Sequence, residues 1–258
     1  MTAPLRLGHI DLSFHAASAA VVQAVLLEHG VAVALSTAPH EAMFQALGRG
    51  AVDLMVSAWL PASHGGYIAP MREQVRELTV LYRPYCIWGV PDYVPEELVA
   101  SVDDLLRPEV LARMERTIQG INPGAGISRF SAAMVDAYGL AEAGYRFRPG
   151  SEEDCFGTFE HAVAQRRWLV VPLWSPQFLH HRHRIRALRE PRGMLGGTDA
   201  ATLIVRRAAE CRIGDAALRA LAGLHLGNAV VTELDHQIRV EGRAPLAVAQ
   251  AWLGRQRG

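Results

Sequence analysis

The feature that most limits the fold is an alternation, from Leu5 to Ser57, between short apolar runs and longer segments with helical spacing. Leu5 to Leu12 reads as a buried strand. Ala16 to His29 is rich in Ala, Val and Leu at helical spacing and stops at Gly30, a residue suited to the left-handed turn that ends a helix. Val31 to Ser36 is the next strand, His40 to Gly48 the next helix, and Val52 to Ser57 the next strand. A β-α-β-α-β opening predicts a mostly parallel sheet with helices on both faces. The alternation then returns. Thr117 to Ile121, Trp168 to Leu173 and Leu203 to Arg206 read as strands. Helices are expected over Ser128 to Tyr138, Phe159 to Gln165, near Ala216 to Leu226 and over Leu246 to Leu253. The fold class is therefore α/β. With no Gly/Ser-rich linker in the chain, two lobes around a ligand cleft are expected, one from residues 1–88 plus 206–258, the other from 89–205. Tyr85 to Tyr93 and the region around Leu203 to Arg206 are the expected crossings.

Charge then removes one large class of function. Lys and Arg total 26, Asp and Glu total 26, and the formal charge is 0. Nucleic-acid binding needs a basic excess to neutralise phosphates, and none is present. Half of the 258 residues are apolar, enough for a sizeable core. No stretch approaches the roughly 20 apolar residues of a membrane span. Cys86, Cys155 and Cys211 are odd in number and far apart, which excludes a disulfide framework and metal-ligand spacing. The first residues, Met1 to Arg6, show no basic and apolar leader, so the chain as written is expected in the cytoplasm. Removal of a leader would instead place it in the periplasm or at a membrane.

In open α/β sheets ligands sit beyond the carboxyl ends of strands, which selects the loops after Leu12, Ser57, Ile121 and Leu173. Ser57-Ala58-Trp59-Leu60-Pro61 carries a tryptophan at a strand end, followed by His64 and Tyr67. A tryptophan face attracts a cation by ~0.5–2 kcal/mol, although a ring packed over a sheet edge explains the same residue. Gly120-Ile121-Asn122-Pro123-Gly124-Ala125-Gly126-Ile127 is a small-residue turn before a helix, where backbone N–H groups suit an anion; an empty strand-to-helix turn reads the same way. Without Gly-Lys-Ser/Thr it is no nucleotide loop. Pro172-Leu173-Trp174-Ser175-Pro176 repeats the strand-end tryptophan. Two aromatic faces and one anion-friendly turn complement a small zwitterion.

Asp11, Ser13 and His15 offer the residue types of an acid–base or nucleophilic site if the chain there is extended, and a polar strand exit serves as well. His180 to His183 is interleaved with arginines and reads as a solvated polar face. Cys155, preceded by three carboxylates, reads as an inert thiol.

Taken in order, these motifs resemble the glycine betaine/proline betaine substrate-binding proteins of ABC transporters, and the resemblance runs from about Leu5 to Trp252. It implies a type II periplasmic-binding-protein fold, with two Rossmann-like lobes that close on ligand. It implies a cage for a quaternary ammonium at Trp59 and Trp174, and a ligand carboxylate held by the backbone at Gly120 and Ile121 and by His64. The chain departs from the family pattern in two places: Leu12 stands where a further cage tryptophan is usual, and Gln177 follows Pro176 where a histidine is common. Leu12, Phe14 and Tyr67 join the expected ligand-binding residues, with Phe14, Tyr67, Phe178 and His9 as candidates for the missing wall. The resemblance implies binding without catalysis, no cofactor, no metal, a small zwitterionic ligand, and a membrane component of an ABC transporter as partner. The alternative is a cytoplasmic enzyme or ligand sensor that reuses the fold.

Overall fold

The computed structural model describes residues 3–256. Its strands are β1 (Leu5–Ile10), β2 (Val33–Ala38), β3 (Leu54–Leu60), β4 (Val75–Tyr82), β5 (Tyr85–Pro91), β6 (Thr117–Gln119), β7 (Arg146–Arg148), β8 (Val171–Ser175), β9 (Ile185–Ala187) and β10 (Ala200–Arg206). The chain divides into two units. The first runs up to Pro84, takes in Pro176–Phe178, and resumes at Asp199; the second is Tyr85–Ser175 with Leu179–Thr198.

The first unit is built on a sheet of order β2-β1-β3-β10-β4. β1 pairs in parallel with β2 and with β3, as the opening alternation predicts. β10 then enters antiparallel to both β3 and β4. The parallel expectation therefore holds for only part of the sheet. β10 also moves the division between units: residues 199–205, expected in the other lobe, belong to the first unit, where the stretch from Ala201 to Val205 lies between β3 and β4, and Tyr85–Trp88 falls in the second unit. Helix Ser13–Glu28 begins three residues earlier than expected and is buried along most of its length. Gly30, at φ +74°, closes it. This helix packs against helices Asn228–Arg239 and Pro245–Arg255. Helix His40–Gly48 crosses β1 so closely that a Cβ on Gly8 would lie 2.6 Å from Met43 Sδ, so only glycine fits there.

The second unit has an antiparallel sheet of order β8-β5-β9 and a parallel pair, β6 with β7. Its core gathers around Trp88, which is fully buried and donates its indole N–H to Ser131 Oγ at 2.8 Å. Tyr85 to Tyr93, expected as a crossing segment, is mostly the central strand of this sheet.

Candidate functional site

The site in the first unit starts from an irregularity in β3. Thr202 of β10 faces Ala58 while Ile204 faces Met55, so Val56 and Ser57 together oppose Leu203. Such a bulge re-aims the side chains beside it. Ser57 takes a φ of +66°, rare for a residue with a Cβ, and is fully buried. Its hydroxyl forms a short hydrogen bond with the Tyr82 hydroxyl. The Trp59 indole N–H donates to both oxygens at 3.2 Å. Burial pushes the Tyr82 phenol up to about 12, so it stays protonated in this network.

Beyond β3 the chain turns through the cis Leu60–Pro61 bond. The buried Asp199 carboxylate, just before β10, accepts the N–H groups of Ala62 (2.7 Å) and Ser63 (3.1 Å). The turn returns His64 to Trp59 through a reciprocal pair. His64 N–H donates to the Trp59 carbonyl at 2.8 Å, and Trp59 N–H donates to His64 Nδ1 at 2.9 Å. Because Nδ1 accepts, the neutral imidazole carries its proton on Nε2 and presents a donor there. His64 packs against Phe44 (ring centroids 5.1 Å apart) and His40 (5.4 Å), and Tyr67 stacks on Phe44 at 4.8 Å.

The expected aromatic residues after β1 join this cluster. Phe14 lies 5.5 Å and His15 6.0 Å from the Trp59 ring. Leu12, buried, is the residue preceding helix Ser13–Glu28. Asp11, Ser13 and His15 do not share one side of an extended strand, because Ser13 and His15 already belong to the helix. Asp11 is exposed, Ser13 lies beside Asp235, and His15 is buried next to Trp59. Leu12, Phe14, Trp59, His64 and Tyr67 thus all lie in the first unit, together with Ser57 and His15, which the sequence had singled out in other roles, and with His40, Phe44 and Tyr82, which sequence reasoning passed over. Of the two hydroxyls hydrogen-bonded to the Trp59 indole, Ser57 alone carried a signal in the sequence, as a serine two residues before the strand-end tryptophan.

Phe178 donates its N–H to the buried Asp235 carboxylate at 2.8 Å, with the Arg239 guanidinium 5.8 Å from its ring. His9 keeps its ring on the Ile10 carbonyl.

In the second unit, Gly120 follows β6. A Cβ there would fall 2.3 Å from the Phe147 ring, which explains the glycine by packing. Its N–H donates to the Arg148 carbonyl at 2.8 Å. The Ile121 carbonyl accepts from Ser128 Oγ at 3.0 Å and from Gly150 N–H. The turn leads into helix Gly126–Ala137, whose entry has no side-chain cap. Trp174, in β8, is 1 % exposed and lies 5.7 Å from Phe156. Its carbonyl meets His180 Nε2 at 2.8 Å, so His180 is held to the fold rather than forming part of a solvated face. Burial and the neighbouring Glu152 and Asp154 push the Cys155 thiol up, consistent with an inert cysteine. Among the described residues no group of His, Cys, Asp and Glu has the arrangement of a metal site. No helix among them is long and apolar enough to cross a membrane.

Comparison with known proteins agrees with this architecture. The chain matches lactococcal OpuAC in its closed, glycine betaine-bound form with a TM-score of 0.86 and 23 % identity, over 99 % of this chain and 97 % of that one. It matches the glycine betaine/L-proline-binding protein ProX from Borrelia burgdorferi at 0.85 and 22 %, over 98 % and 93 %. A choline-binding protein of an ABC transporter, in complex with choline, matches at 0.83 and 19 %, over 98 % and 89 %. These are type II periplasmic-binding-protein structures, and the fold is theirs. By sequence, the chain is 26 % identical over 91 residues to the glycine betaine/carnitine transport binding protein GbuC of Listeria monocytogenes; the match spans 35 % of this chain and 30 % of that relative. The OpuAC family model, described as the substrate-binding domain of ABC-type glycine betaine transport systems, matches residues 3–255. Over nearly its whole length, the chain belongs to that family of substrate-binding domains.

Proposed function

We propose that the protein captures a small zwitterion of the betaine class and hands it to the membrane component of an ABC transporter. The ammonium end rests on the Trp59 face, and the carboxylate end takes a hydrogen bond from His64 Nε2. In the second unit, Trp174 supplies a further aromatic face and Ile121 a backbone N–H of the anion-friendly turn, while Gly120, whose own N–H is given to the Arg148 carbonyl, shapes the turn beside it. Tyr67, Leu12 and Phe14 complete the lining.

The observation that carries this reading is the reciprocal pairing of Trp59 with His64. It fixes an aromatic face and a neutral N–H donor within one turn of chain, their rings 6.2 Å apart. A cation–aromatic contact contributes ~0.5–2 kcal/mol, and a hydrogen bond to a carboxylate about 1–3 kcal/mol, so both together suffice for selective capture. His64→Ala is expected to weaken binding of a betaine by about tenfold to a hundredfold. Titration calorimetry with glycine betaine, dimethylglycine and choline, on parent and variant, tests the reading; unaltered affinities in the variant place the site elsewhere.

A further inference from the structure

The Trp59 indole is tied to more oxygen than packing requires. Its N–H donates at 3.2 Å to Ser57 Oγ and at 3.2 Å to the Tyr82 hydroxyl, and those two oxygens are joined to each other by a short hydrogen bond. Ser57 is 0 % exposed and Tyr82 3 %, whereas Trp59 keeps 6 %. The hydroxyls are therefore buried polar groups that can influence a ligand only through the ring they hold. Ser57 meets this geometry at a φ of +66°, in the left-handed region that a residue with a Cβ enters at a cost. Glycine at this position would carry no such strain, and phenylalanine in place of Tyr82 would need no polar partner in the core. Backbone strain kept at a buried position points to function rather than to stability.

We propose that Ser57 and Tyr82 are positioning residues that make Trp59 a detector of charge: by sharing its indole N–H they enrich the ring face, so that the site separates a cationic head group from a neutral one of the same shape. This inference rests on the betaine-class reading of the site. A cation is drawn to the negative charge of an aromatic π cloud. A hydrogen-bonded N–H moves electron density onto its nitrogen, and the indole nitrogen is conjugated with the ring. Coupled acceptors in a low-dielectric interior polarise such a donor more than either would alone. Burial pushes the Tyr82 phenol up to about 12, so the network keeps its protons across the neutral range. A tert-butyl group matches trimethylammonium in size and apolar surface but lacks its charge, so it gains nothing from the enriched face. Because two oxygens serve one proton, either sustains the effect when the other is lost. Single substitutions are then mild, and the double substitution is severe.

The ligands that isolate this effect are glycine betaine and 3,3-dimethylbutanoate, which offers His64 the same carboxylate and has a carbon in place of the charged nitrogen. Calorimetry at pH 7 on the full chain, by direct titration and by displacement for the weaker ligand, should show the parent favouring glycine betaine about tenfold or more. Tyr82→Phe and Ser57→Gly should each weaken glycine betaine about twofold. The double variant should weaken it about tenfold and leave 3,3-dimethylbutanoate within about twofold of the parent. Equal losses of both ligands in the double variant overturn the proposal, since that is the mark of a displaced or loosened ring. So does a glycine betaine loss in the double variant no larger than the product of the single losses, a criterion that decides by itself if the neutral ligand is too weak to measure. If the double variant does not fold, the ratio of losses for the two ligands is read from the single variants instead. A parent that binds neither glycine betaine nor choline is the distinct outcome that overturns the betaine reading itself, and this role of Ser57 and Tyr82 with it.

Discussion

Trp59 and Trp174 carry the same sequence signature, a tryptophan at the end of an apolar strand with a proline two residues on, yet the fold treats them differently. Trp59 is held by polar atoms: its indole N–H reaches two hydroxyls, its backbone N–H binds an imidazole, and its carbonyl accepts from the same histidine. Trp174, like Trp59, sits at the next-to-last rung of an antiparallel ladder, opposite Cys86, but its ring lies against Phe156. The Trp59 ring is oriented by hydrogen bonds from its indole N–H, and the Trp174 ring packs against Phe156.

The contrast can be broken most forcefully at Trp174. Truncating a large, fully buried aromatic costs about 3–5 kcal/mol, so Trp174→Ala should lower the thermal midpoint by many degrees. A Trp174→Ala protein as stable as the parent would show that apolar packing is not what holds this ring.

Asp235 sharpens the other side of the comparison, because it is a polar group of the first unit that does not stabilise at neutral pH. Burial is the main reason its carboxyl is pushed up to about 6, with the Phe178 N–H, Ser13 and Arg239 acting in the opposite sense. Its ordinary value is about 3.9. The folded state therefore binds more protons than the unfolded state between those values, and the contribution of this group, complete below about pH 4, is lost as pH rises through 6. Asp235→Asn keeps an acceptor for Phe178 and removes the buried charge. It should raise stability at pH 7 by roughly 2–3 kcal/mol, a gain that fades toward pH 4. Denaturant unfolding across pH 4–7 checks this; an Asn variant weaker than the parent at pH 7 refutes it.

The smallest expected effect belongs to Tyr82→Phe. It removes one of two acceptors for the Trp59 indole and the partner of Ser57, at about 1–2 kcal/mol. Its signature is a fall in both stability and betaine affinity, since in the proposed site the ring it helps orient is the binding face. A loss of stability with affinity intact would demote the hydroxyl network to simple packing.

How far the sequence led is clear from particular residues. β1, β2, β3 and the two helices between them were legible because local periodicity and Gly30 fix them, and the Trp59–His64 loop was legible by residue type. β10 was not legible in full. Its pairing with β3 and β4 depends on partners more than a hundred residues away, and nothing in Leu203 to Arg206 says which strands it will separate. Tyr82 was missed for the same reason, since it meets Ser57 only once β4 and β3 flank the same strand. His15 was read as part of an extended segment because the helix starts before the alanine-rich run, without a capping side chain to announce it.

The late arrival of β10 has a consequence for synthesis. A chain emerging from the ribosome displays β3 and β4 long before residue 200 exists, and among the described residues β4 has no other strand to pair with. Through most of translation the nascent protein carries two open strand edges, a template for association with other chains. Asp199, which organises the Trp59–His64 turn, arrives with that same strand. The Trp59–His64 loop, the proposed ligand-recognition loop, is thus among the last parts to take shape, and a chain cut short before Asp199 would be both sticky and, on that proposal, unable to bind.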